Sequence, residues 1–181
     1  MAWMFFRDND SQMYGAICQA RGINQLPILF CSENKSGELS SPAWADQMIH
    51  DMTPFWTTHG NVTWICTHIE AEKFVTPAEV NRIAGLVRKY MPNVKVCVHA
   101  TNTSYARCDV DAIAVQMQWS PVQGNSHTPD EVTKVLQGYL DAGAKQVICA
   151  DYNWWSEQAT AKAQGQAALK MTNCIGAWNG F

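Results

Sequence analysis

Hydrophobic and polar positions alternate in two distinct rhythms along the chain. Short apolar runs of strand length recur at Ala2–Phe6, Leu26–Ser32, Val62–His68, Val94–His99, Ala112–Gln118, Gln146–Ala150 and Cys174–Trp178. Between them lie segments with apolar residues three and four apart, the spacing of one helix face. These predict helices over Ser11–Arg21, Ser41–Met52, Thr76–Tyr90, Thr128–Ala142 and Glu157–Met171. Two of them carry a full start signal. Thr76 and Thr128 are candidate caps, Pro77 and Pro129 take the first helical position, and Glu79 and Glu131 stand where a capping box needs them. Gly22 and Gly143 are candidate stops.

Strands alternating with helices predict parallel βαβ units and an α/β fold. No GxGxxG follows the first strand and no GxxxxGK[ST] occurs, so the phosphate cradles of nucleotide-binding sheets are missing. The pattern favours a small or incomplete (β/α) TIM-like barrel of mostly parallel strands. Full barrels typically need about 250 residues, and this chain has 181. One domain over residues 1–181 is expected.

Parity along the strands brings in candidate chemistry, because successive side chains point to opposite sides. One phase reads Leu29, Cys31, Glu33; Trp64, Cys66, His68, Glu70; Lys95, Cys97, His99; Ala114, Gln116, Gln118; and Val147, Cys149, Asp151. Four of these strands repeat a cysteine followed two positions later by a polar or ionisable residue. If the phases agree, small cysteines form an interior layer, and Glu33, His68, Glu70, His99, Gln118 and Asp151 line the mouth at the carboxyl ends of the strands.

Such a mouth suits glycoside hydrolysis, which places two carboxyl groups across the scissile bond. Glu70 is the expected general acid, since burial beside an apolar strand would favour its protonated form. Asp151 or Glu33 would be the nucleophile or base, and His68, His99 and Gln118 would hold sugar hydroxyls. Trp119, Trp154 and Trp178 follow or end strands, where flat aromatic faces stack on sugar rings. Glu72 is expected to lie outside the mouth. His68, Glu70, His99 and Asp151 also form a plausible metal-ligand set. The HxH of metallohydrolase first strands is absent, however, and no metal or cofactor is expected.

Composition narrows the classes. The chain is 47% hydrophobic and 16% charged with a net charge of −3, and no basic tract supports nucleic-acid binding. No apolar run reaches roughly 18 residues, so no membrane span is expected. The amino terminus has no signal-peptide pattern. Seven cysteines, an odd number without a CxxC pair, fit free thiols in a reducing cytoplasm better than a disulfide framework.

The stretches IEAEKFVTPAEV, DAIAVQMQWSP, VICADYNWWS and QGQAALKMTNCIGAWNG together carry a resemblance. On them the sequence resembles glycoside-hydrolase-like (β/α) barrels, including compact forms of bacterial and phage-encoded proteins. It implies a carbohydrate-active enzyme acting on a polysaccharide. Such families commonly place a glutamate at a late strand end, where Asp151 stands here. The alternative is a barrel that binds glycan, or serves structurally, without cutting, as a module of a larger assembly such as a phage virion.

Overall fold

Parallel strands alternating with helices form where the two rhythms place them. The computed structural model describes residues 2–5, 20–22, 25–30, 42–59, 62–117, 128–150 and 158–178. Contacts divide the chain into two compact units, Met1–Val98 and His99–Phe181.

The first unit holds strands β1 (Ala2–Phe5) and β2 (Gln25–Phe30), helix α1 (Pro42–His59) and strand β3 (Trp64–His68). A 3-10 turn (Ala71–Lys73), helix α2 (Pro77–Tyr90) and most of strand β4 (Lys95–Ala100) follow. Its strands lie in chain order and pair in parallel. Helix α1 packs on α2, and α2 packs on β3. The second unit holds a 3-10 turn (Thr103–Tyr105), β5 (Ala112–Gln116), α3 (Pro129–Asp141), β6 (Val147–Ala150), α4 (Gln158–Leu169) and β7 (Cys174–Trp178). Here too β5, β6 and β7 pair in parallel and in chain order. Helix α3 packs on β5, β6 and α4, and α4 packs on β7.

The helix signals act as their chemistry dictates. The Glu79 backbone N–H donates to Thr76 Oγ1 at 3.3 Å. At α3 the box closes in both directions: Glu131 N–H donates to Thr128 Oγ1, and Thr128 N–H donates to Glu131 Oε2 at 2.7 Å. Glu79 leaves its box open and takes Arg82 instead, with contacts of 2.8 and 2.7 Å. The buried face of α2 is Val80, Ile83, Ala84 and Val87, the residues its spacing picks out. Gly143 ends the α3 segment at φ 113, and an added Cβ there would come within 3.1 Å of Arg107 Cγ. The same arginine donates from Nε to the Ala142 carbonyl. The predicted Ser11–Arg21 helix lies outside the described residues except for its end, where Gly22 has φ 65.

Helix α1 is longer than its pattern predicts. It runs through Pro54 to His59, although proline lacks the N–H that would bond four residues back. Two threonine hydroxyls donate to carbonyls around the break, Thr53 to Ile49 at 2.7 Å and Thr57 to Thr53 at 2.8 Å.

Strand register corrects the expected agreement of phase. Ile28 lies beside Cys66, and Cys66 beside Cys97. Lateral partners point to the same side of a sheet, so β3 and β4 do share the expected phase. The even positions of β2 share it too, which puts Leu29 on the opposite side. In the second unit Val115 lies beside Cys149 and Gln116 beside Ala150, so Gln116 is out of phase with Cys149. The physical reason is burial on both sides. All described residues of β5 and β6, and all but the first of β4, are buried. Strands covered on both faces show no alternation that could set a register.

The fold class is α/β, with parallel strands alternating with helices in the manner of a (β/α) barrel. It is incomplete: seven strands and four α-helices occur among the described residues, against eight of each in a full barrel. Among those residues no helix is long and apolar enough to cross a membrane.

Candidate functional site

Strand β3 delivers its polar end through a sharp change of backbone direction. His68 closes the strand, and Glu70 follows at φ 52, ψ 47. It is the one non-glycine residue with positive φ among the described residues, a conformation that side chains other than Asn or Asp rarely adopt. The turn is held by backbone bonds from Lys73 N–H to the Glu70 carbonyl at 2.9 Å and from Phe74 N–H to the Ala71 carbonyl at 3.2 Å.

The Glu70 side chain is 13% exposed and accepts from Lys73 Nζ at 2.6 Å, while Lys73 is 49% exposed. The Lys73 ammonium in direct contact holds this carboxyl group in place at the end of the strand.

His68 is buried, and its ring lies 5.6 Å from that of Phe74 at a 58° tilt. Burial pushes its imidazole down to about 3, with the Arg82 cation adding to the effect. It is neutral at physiological pH and can offer a hydrogen bond but not a charge. Its backbone carbonyl accepts from Cys66 Sγ at 3.2 Å.

His99 belongs to the second unit, two residues after Cys97 on β4, and is buried. Beyond it Asn102 Oδ1 accepts from the Ser104 N–H at 2.8 Å, capping the 3-10 turn. Tyr139 of α3 donates from its hydroxyl to the Ala100 carbonyl at 3.3 Å. Trp178 is the last residue of β7, beside Ala150 in register. Glu33, Gln118, Trp119, Asp151 and Trp154 lie outside the described residues. Among the described residues no three His, Cys, Asp or Glu side chains are grouped to hold a metal.

Two residues of the β3 turn escape the strand-parity reasoning. Lys73 was legible as the cation three residues after Glu70 in EAEK. Phe74 carried no signal in the strand pattern, and it is 40% exposed.

No family model matches the chain, and no curated protein matches it. Solved structures do. A GH2 β-galacturonidase from Eisenbergiella tayi, bound to galacturonate, matches 98% of this chain with TM-score 0.66 and 13% identity. β-Glucuronidase 3 of Bacteroides uniformis matches 97% with TM-score 0.68 and 13% identity. A psychrophilic glycoside hydrolase family 10 endo-β-1,4-xylanase matches 93% with TM-score 0.63 and 13% identity. The chain spans 37%, 27% and 70% of these proteins respectively. At such identity the likeness concerns fold alone, the parallel alternation of strand and helix described above.

Proposed function

We propose that this chain is the barrel of a carbohydrate-active enzyme that hydrolyses a polysaccharide between two strand-end carboxyl groups. The observation that carries the proposal is Glu70: an acid at the carboxyl end of a barrel strand, in a left-handed conformation, pinned by Lys73 at 2.6 Å. Strand ends are where (β/α) barrels place their chemistry, and a costly backbone conformation persists where function requires it. In this proposal Glu70 is the general acid expected from the sequence, and Asp151 or Glu33 is the nucleophile or base. His68 and His99 act as neutral hydrogen-bonding groups toward sugar hydroxyls, and Gln118, Trp119, Trp154 and Trp178 contribute to substrate binding.

The test is release of reducing sugar from soluble polysaccharides by the wild type and Glu70→Gln. The variant keeps size and shape and removes the charge. We expect its turnover to fall by at least about a thousandfold, the scale of losing a catalytic carboxylate, with an unchanged far-UV spectrum. Equal turnover in the two proteins would remove Glu70 from the mechanism.

A second reading is favoured by the same ion pair. A carboxylate already held by Lys73 serves well as a fixed hydrogen-bond acceptor, and the chain would then be a glycan-binding module of a larger assembly. Binding without turnover in the wild type distinguishes it.

A further inference from the structure

The turn from Glu70 to Phe74 breaks two rules of stable folding within five residues. A non-glycine residue in the left-handed region is strained, and Glu70 sits at φ 52. Phe74 leaves 40% of its surface in water, giving up part of the stabilisation that full burial of such a side chain contributes. Its backbone is nonetheless tied to Ala71 and its ring rests on buried His68. It is an anchored aromatic surface facing solvent, next to a carboxylate fixed in space. Violations that cluster in one place mark functional positions.

An anchored aromatic face loses little side-chain freedom on binding, and its partner must present a flat patch of C–H groups. A pyranose does so, and its hydroxyls need acceptors and donors at the edge of the ring. The Glu70 carboxylate and the Lys73 ammonium are such groups.

Charge separates neutral from acidic sugars. The turn carries Glu70, Glu72 and Lys73, and the single ammonium is matched by Glu70 at 2.6 Å. The next cation along the segment, Arg82, donates from Nε and Nη2 to the two carboxylate oxygens of Glu79. Each cation of this segment is therefore committed to a carboxylate, and a uronate would add a further negative charge beside Glu70 and Glu72.

We propose that the Glu70–Phe74 turn forms a subsite for a neutral pyranose, stacked on Phe74 and hydrogen-bonded by the Glu70–Lys73 pair. The proposal rests on the carbohydrate-active reading above and names its substrate class.

The test is titration calorimetry of the whole chain with two probes, xylohexaose and hexagalacturonate, using wild type, Phe74→Ala and Phe74→Trp. The wild type is expected to bind xylohexaose more tightly than hexagalacturonate. Phe74→Ala should weaken xylohexaose about tenfold, and Phe74→Trp should match or exceed the wild type. Thermal unfolding of the variants controls for fold, and Phe74→Trp keeps an aromatic ring beside His68 where Phe74→Ala removes it. Equal binding of xylohexaose by wild type and Phe74→Ala overturns the subsite and leaves the carbohydrate-active reading intact. Tighter Phe74-dependent binding of hexagalacturonate overturns the choice of a neutral sugar. A wild type that binds neither probe overturns the subsite, and if it also releases no reducing sugar the broader reading falls with it.

Discussion

His68 shows how one residue ties burial to solution behaviour. Its imidazole is held down to about 3 in the fold, against roughly 6.5 in an unfolded chain. Between those values the unfolded chain binds the extra proton. Stability contributed by the neutral ring is therefore complete above about pH 6.5 and is lost as pH falls towards 3, at up to about 1.4 kcal/mol per pH unit. Urea midpoints should drop between pH 6.5 and 4 in the wild type, and more shallowly in His68→Gln. Identical slopes in the two proteins would show that another group carries the acid sensitivity. The role of His68 was half legible in the sequence. Its position at the end of β3 follows from VTWICTH, whereas its depth depends on Phe74 and α2 packing around it, which no local pattern reveals.

At the scale of elements, legibility depended on how local the signal was. Helices α2 and α3 start at the residues their caps and prolines mark, because those bonds span three residues and need no tertiary partner. Helix α1 defeated the same logic at Pro54, where hydroxyl contacts and packing on α2 carry the helix past a breaker. The cost of that proline should be measurable. Pro54 is exposed, so Pro54→Ala loses little packing, restores a donor for the His50 carbonyl and relieves the ring clash. We expect a gain of about 1 kcal/mol in the denaturant midpoint analysis, below the roughly 3 kcal/mol of an uncompensated interior proline. A loss of stability would mean that the ring itself packs favourably. Strands were placed to within about two residues; the expected phase holds between β3 and β4 but not between β5 and β6, which are buried throughout.

Across the whole molecule, the alternation of strand and helix was enough to read an incomplete (β/α) barrel, because the connections require parallel strands whatever the register. The site was less legible for the same reason: strand ends can be located, but which side chains converge depends on register and turns. Cysteine placement tests the fold as a unit. Cys66, Cys97, Cys108, Cys149 and Cys174 are buried, spread over β3, β4, β6, β7 and the loop before β5. Burial raises the Cys108 thiol to about 11 and the Cys174 thiol above its usual value, which suppresses the reactive thiolate as well as access to it. The chain has seven cysteines, so Cys18 and Cys31 set the ceiling on rapid labelling. A thiol-reactive dye at pH 8 should modify no more than two groups in the native protein and all seven in urea. If cooperative unfolding is what exposes the five buried thiols, their labelling will follow the same urea midpoint as the loss of helical circular dichroism. Rapid modification of three or more thiols in native buffer would show that at least one of the buried strands opens locally, well below the free energy of global unfolding.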